Sequence, residues 1–277
     1  MIRIPLGDWI ESGINWFNDN ASPLLDGIAF VVGAAIDFFE FVLTWPHSLA
    51  MIPALAALAW LVATWKMALA AAAGLLLIDA MDMWDPTMQT LALVLASTAI
   101  ALLIGVPVGV LAARSAMTER IVRPVLDFMQ TMPAFVYLIP AVLFFGTGNV
   151  PGAMATVIFA APPAVRLTTL GIRQVPRDVV DAADAFGATE WQKLVKVQLP
   201  LALPTILAGV NQTIMLALSM VVIAALIGAP GVGTEVVEGV QRLNLSLGFE
   251  SGLAIVILAI FLDRITQAAG GGRAAAT

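Results

Sequence analysis

His47 is the chain's single histidine and cysteine is absent, so the sequence offers no disulfide, no thiolate ligand and no Cys nucleophile. One histidine beside Pro46 reads as a loop residue at a membrane boundary and cannot build a metal site. Motifs for chemistry at a phosphate, a peptide or an ester are missing as well: no G-x-x-x-x-G-K-[ST], H-E-x-x-H or G-x-S-x-G occurs. The chain is therefore not expected to be an enzyme, and no cofactor or metal is expected on it. Two groups of residues remain. "GVNQTIMLALSM" sets Asn211, Gln212, Thr213 and Ser219 in an apolar run. Such uncharged groups either hydrogen-bond across helices or line a path for a small solute without net charge. Met215 and Met220 share the stretch, and thioethers adapt to varied shapes. Tyr137, the only tyrosine, lies near Phe135, Phe144 and Phe145 and is a further candidate for the path. One aromatic-containing helix does not make the cage that a quaternary ammonium asks for.

The second group is "VVDAADAFGATEWQKLVKVQLP", Val179 to Pro200, the longest region of mixed charge in the chain. Pro176 suits a first helical position, and Asp178 and Asp181 follow in an opening turn whose dipole favours acids. Val179, Ala182, Ala183 and Phe186 share one face. Gly187 permits a turn that a Cβ resists. Thr189 and Gln192 stand at capping-box spacing for a second helix, with Trp191, Leu194 and Val195 on its apolar side. Pro200 is expected to stop it and to start the next span. Two amphipathic pieces leave two apolar faces that need a partner.

The elements that must hold these residues follow from the solvent. With 60% hydrophobic and 12% charged residues and a mean hydropathy of +0.96, the chain has more apolar surface than a water-soluble domain can hide. It reads as an all-α polytopic membrane protein, and its net charge of −6 argues against a nucleic-acid partner. Crossings are expected near 49–65, 67–81, 88–113, 133–148, 150–170, 201–228 and 250–266, about seven in all, the second and fourth being short. "GVPVG", Gly105 to Gly109, allows close helix approach and a bend at Pro107. "FFGTGNVPG" is expected to be a tight outer turn, and "AAPP" to kink the fifth crossing. All the Lys and Arg except Arg3 and Arg242 fall on alternate loops, and such loops are cytoplasmic. The C-terminus is then inside and the N-terminus outside. Residues 1–48 repeat an amphipathic pattern over 8–19 and 27–45, with carboxylates that are costly in a lipid-exposed span. They read as helices lying in the outer interface, the competing reading being an eighth span. "MIRIPLGDWIESG" lacks the layout of a cleaved signal peptide.

The loop resembles the signature of ABC-type importer permeases: Glu-Ala-Ala, three residues, Gly, nine residues, Ile, one residue, Leu-Pro. Here Asp181, Ala182, Ala183, Gly187, Val197, Leu199 and Pro200 stand at that spacing, with Asp for Glu and Val for Ile. "LDFMQTMPAFVYLIPAVLFFGTGNVPG", "PPAVRLTTLGIRQVP", "VQLPLALPTILAGVNQTIMLALSMVVIAALIGAPGVG" and "VILAIFLDRITQA" are similar to the glycine betaine/proline betaine branch. The resemblance covers roughly 88–268. It implies the type I importer (MetI-like) transmembrane fold in a bacterial inner membrane. It also implies a second copy of the permease, an external substrate-binding protein and a cytoplasmic ATPase dimer that carries the ATP and Mg. The domains expected are an N-terminal segment 1–48, two peripheral spans over 49–81, a core 88–268 containing a coupling loop 173–200, and a flexible tail 269–277. The function implied is ATP-driven uptake of glycine betaine, proline betaine, choline or a related amine by alternating access. Alternatives are an importer of another amino-acid-like solute, or a secondary carrier or channel. A carrier would ordinarily show ionisable relays in its spans, and 88–113, 133–148 and 201–228 have none.

Overall fold

The computed structural model describes residues 6–269, and among them every regular element is helical. In chain order the helices are α1 Leu6–Thr44, α2 Ser48–Val62, α3 Trp65–Ala80, α4 Trp84–Arg114, α5 Ala116–Thr131, α6 Leu138–Phe145 and α7 Asn149–Arg173. They continue with α8 Arg177–Ala185, α9 Glu190–Lys193, α10 Leu199–Ala225, α11 Val232–Gln241 and α12 Leu245–Ala269. The proposed tail beyond residue 269 lies outside the described residues.

Three helices make the centre: α7 packs on α10 and on α4, and α12 closes against α10. Small residues set this geometry. A Cβ on Gly105 would stand 2.9 Å from Ala164 Cβ, and one on Gly109 would stand 2.7 Å from both Thr168 Cβ and the Val165 carbonyl. Only a hydrogen there lets α4 and α7 approach so closely. Gly209 on α10 meets Leu167 of α7 in the same way, its Cβ position 3.0 Å from the leucine Cβ. Both α4 and α7 run through their internal prolines, Pro107 and Pro162–Pro163. The expected turn after α6 is present: Gly146 and Gly148 have φ of +75° and +114°, and Gly148 N–H donates to the Ile227 carbonyl beyond α10.

Several expectations need correction. Among the described residues five helices are long and apolar enough to cross a membrane by themselves, six if a bent pair counts as one span, where about seven crossings were expected. The stretches 49–65 and 67–81 are the hairpin α2–α3, of 15 and 16 residues. At 1.5 Å per residue each is about 22–24 Å long, short of the roughly 30 Å hydrocarbon layer. The hairpin leans on α12, where Ile257 fills the space above Gly74. The stretch 133–148 is a 3₁₀ turn, Ala134–Tyr137, plus α6, set at 110° to α5. Residues 8–19 and 27–45 are not two pieces but one 39-residue helix, about 58 Å long. Pro23 lies inside it; the carbonyl it leaves unpaired belongs to Asp19, on an exposed stretch of the helix. By length and composition this helix is itself a candidate span. The acidic outer loop after α10 contains α11, which hydropathy alone had missed; Val232 N–H donates 2.9 Å to the buried Thr90 hydroxyl of α4.

Candidate functional site

The mixed-charge loop folds as its spacing predicts, with one exception. α8 begins after Pro176 and ends at Ala185, and Gly187 then takes φ +74°. A full capping box opens α9: Gln192 N–H donates 3.3 Å to Thr189 Oγ1, and Thr189 N–H donates 2.9 Å to Gln192 Oε1. The exception is Pro200, which does not stop the helix. A π segment, Leu194–Gln198, joins α9 to α10, and Leu199 N–H donates to the Leu194 carbonyl. This wider turn carries the helix past a residue that cannot donate and would crowd the previous turn. The helical run Glu190–Ala225 is 36 residues, about 54 Å, so its charged first two turns extend past the hydrocarbon.

The two apolar faces separate in the fold. Leu194 is buried with Ile172, Ala202 and Ile206, anchoring the loop to α7 and α10. Val179, Phe186, Trp191 and Val195 are exposed, Phe186 at 93%. Ala182 is also exposed, Ala183 half-buried, and Asp181 exposed beside Arg177 and Glu190. Val197 and Leu199 are half-buried, and Pro200 is exposed. Of the match positions, Asp181, Ala182, Gly187 and Pro200 are thus exposed in this chain.

One ion pair ties the loop helices to α4, and two more brace them internally. Lys193 Nζ stands 2.7 Å from Asp184 and 2.6 Å from Glu190, and Arg114, at the end of α4, reaches Glu190 at 3.2 Å. Lys193 and then Arg114 hold the Glu190 carboxyl below its ordinary range, the hydrogen bond to Lys193 leading. Asp184 first and Glu190 second raise the Lys193 ammonium. Arg173 pairs with Glu119 of α5 at 2.7 Å and donates to the Ala112 and Ala113 carbonyls, capping α4. Hydropathy left α5 as a charged loop; the signal was Ser115, whose hydroxyl accepts from Thr118 N–H at the helix start.

The polar residues of α10 also divide. Asn211 donates 3.0 Å to Asp263 of α12, and Thr266 donates to Asn211 Oδ1. Thr213 is buried and its hydroxyl donates to the Gly209 carbonyl. Tyr137 is buried with Leu138, Ala141, Ala155 and Met220, and its hydroxyl donates to the Met129 carbonyl across the α5–α6 bend. It meets Phe159 edge to face, with centroids 6.1 Å apart. Asn211, Tyr137 and Met220 thus join helices, while the Thr213 bond stays within α10. Gln212 and Ser219 are exposed, seven residues apart on one face of α10, with Met215 half-buried beside them. Away from their ends, α4, α7 and α10 expose no other polar side chain. Among the described residues no cluster of three metal-ligating side chains exists.

Comparison with known proteins agrees with this geometry. Residues 105–269 match the family described as binding-protein-dependent transport system inner membrane component. The glycine betaine transport system permease protein OpuAB of Bacillus subtilis is 53% identical over 96% of this chain and 94% of its own. The glycine betaine/carnitine transport permease protein GbuB of Listeria monocytogenes is 52% identical over 96% and 95%. The glycine betaine/proline betaine transport system permease protein ProW of Escherichia coli is 48% identical over 96% and 75%. A chain of the MetNI methionine ABC transporter, solved in inward-facing conformations, superposes with a TM-score of 0.60 at 25% identity. The superposition covers 65% of this chain and 92% of that one. The fold, the exposed loop surface and these relatives place the chain in the family of inner-membrane permease components of binding-protein-dependent ABC importers, as a multi-pass membrane protein.

Proposed function

We propose that the chain imports glycine betaine or a closely related quaternary amine, as one of two permease copies served by two cytoplasmic ATPase subunits and an external binding protein. The carrying observation is the bare apolar surface of Val179, Phe186 and Trp191 on a loop that Leu194 and the Arg114–Glu190 pair pin to the bundle. A solvated connector would not keep three large apolar groups in water. The substrate class rests on the printed substrates of the relatives. In this reading ATP and its metal stay on the partner ATPase. Asp181, Ala182, Ala183, Gly187, Val197, Leu199 and Pro200 build the docking loop, and its motion is passed through Leu194, Glu190 and Arg173 to α10, α4 and α5. Gln212, Ser219 and Met215 face the second copy and line the path. The loop side is cytoplasmic, with the C-terminus there. α1 touches Gln89, Val150 and Leu143, each near the opposite end of its helix, which supports a course along the outer face and an N-terminus outside.

The test is reconstitution of the chain with candidate ATPase and binding protein in vesicles. ATP-dependent uptake of glycine betaine is expected; uptake by this chain alone, without ATP, would point to a carrier or channel and overturn the proposal. Gly187→Val supplies the coupling arm. Its Cβ meets nothing within 4 Å, so the effect is backbone strain of about 1–2 kcal/mol in the left-handed region. The variant should insert normally yet retain ATPase about tenfold less well, the equivalent of 1.4 kcal/mol. A fully stimulated complex with that variant would contradict the docking role.

A further inference from the structure

The inner ends of α4, α5 and α7 line a cleft of about 310 Å³, which meets the docking loop only at Arg173. Its floor is apolar, with Ala112, Leu126 and Val165 all buried. Its walls are charged in register. α5 presents Glu119, Arg123 and Asp127 at successive i, i+4 positions, one face of the helix, and α7 presents Arg166 and Arg173. The two outer acids are engaged: Glu119 with Arg173 at 2.7 Å, and Asp127 with Arg166 at 2.6 Å. Arg123 sits between these closed pairs. No third acid lines the cleft, and among the described residues Arg123 makes no ion pair or hydrogen bond. Of its neighbours across the cleft, Thr169 has already given its hydroxyl to the Val165 and Gly109 carbonyls, and Leu170 has nothing to give.

We propose that this cleft binds the carboxylate of a small solute on Arg123, with the solute's apolar body over Leu126 and Val165. A guanidinium fork matches a carboxylate in two parallel hydrogen bonds, and the flanking ion pairs keep both neighbouring acids from competing for it. Under the functional reading above, on which this extension rests, the imported zwitterion carries such a carboxylate. The cleft is then a release site at the inner mouth, where accumulated solute rebinds.

Because the chain lacks cysteine, the site can be read without turnover. Leu170→Cys places one thiol in the cleft, Val122→Cys repeats the measurement from α5, and exposed Met117→Cys outside the cleft serves as control. Thiol labelling is followed in the assembled, nucleotide-free complex. At a solute concentration twice the dissociation constant, labelling in the cleft should slow about threefold, since protection scales as 1 + [L]/Kd. Glycine betaine and acetate are expected to protect, tetramethylammonium is not, and Arg123→Gln should abolish protection while ATP-dependent uptake persists. Absence of protection by acetate and betaine, protection that survives Arg123→Gln, or equal slowing at Met117→Cys would overturn the site. Protection without any uptake would instead count against the transport reading and leave the cleft standing.

Discussion

At the scale of single residues, the loop is held by charges whose pH response has a definite sign, Arg114 of α4 reaching Glu190 and Lys193 bracing the loop from within. Glu190 is depressed below 4.5 by Lys193 and Arg114, so its contribution is present above 4.5 and is lost as pH falls through the depressed value. Lys193 is raised above 10.5 by Asp184 and Glu190, so its contribution is present below 10.5 and fades as pH rises through the raised value. The number of solutes moved per ATP should therefore be flat between about pH 5.5 and pH 9, and Glu190→Gln should lower it at every pH in that window. A wild-type ratio that changed within the window and became flat in Glu190→Gln would refute the clamp. Little of this clamp was legible beforehand. The capping box, Gly187 and the acids of α8 are local, and spacing along the chain exposes them. Arg114 and Glu190 stand 76 positions apart, and nothing in their neighbourhoods marks them as partners. Asn211 shows the converse: residue type flags it as polar, but only the packing of α12 shows that it binds two helices together.

At the scale of elements, glycine position decides how close helices come. Gly109→Ala drives a Cβ to 2.7 Å from the Val165 backbone carbonyl, which backbone movement alone can relieve, at about 1–3 kcal/mol of overpacking. Gly252→Ala in α12 meets nothing within 4 Å and removes a flexible residue from a helix, a gain of up to about 1 kcal/mol. Thermal unfolding in detergent should rank Gly252→Ala above wild type and Gly109→Ala below it; the reverse order would contradict the α4–α7 contact. Long apolar helices were read well because twenty-odd apolar residues in a row leave few alternatives: α4, α7, α10 and α12 fall within a few residues of their expected limits. The weak readings were α5 and α11, whose charges mimic a loop, and α1, whose Pro23 mimics a break. The π segment before Pro200 was not foreseeable at all, since proline spacing alone predicts a stop.

At the scale of the whole molecule, the exposed polar face of α10 predicts how two copies meet. Ser219→Cys and Gln212→Cys should cross-link to a dimer under mild oxidation, whereas Leu103→Cys, 75% exposed on α4, should not. Cross-linking confined to Leu103→Cys would place the path elsewhere and contradict the assignment. Hydropathy decides that this chain lives in a bilayer, because no soluble fold could bury so much apolar area, and loop spacing alone marks the helix–turn–helix for which a docking role is proposed. Those properties are local or summed over composition, and need no knowledge of which helix lies beside which. The rest depends on contacts between distant segments. Packing folds 49–81 back as a hairpin against α12 and bends the chain at Tyr137. It also sends Asn211 and Thr213 inward while leaving Gln212 and Ser219 bare. It leaves Val179, Phe186 and Trp191 uncovered while burying Leu194, which an amphipathic pattern assigned to the same face as Trp191. A helical face becomes buried or exposed according to what stands opposite it, and that neighbour is chosen by the tertiary fold.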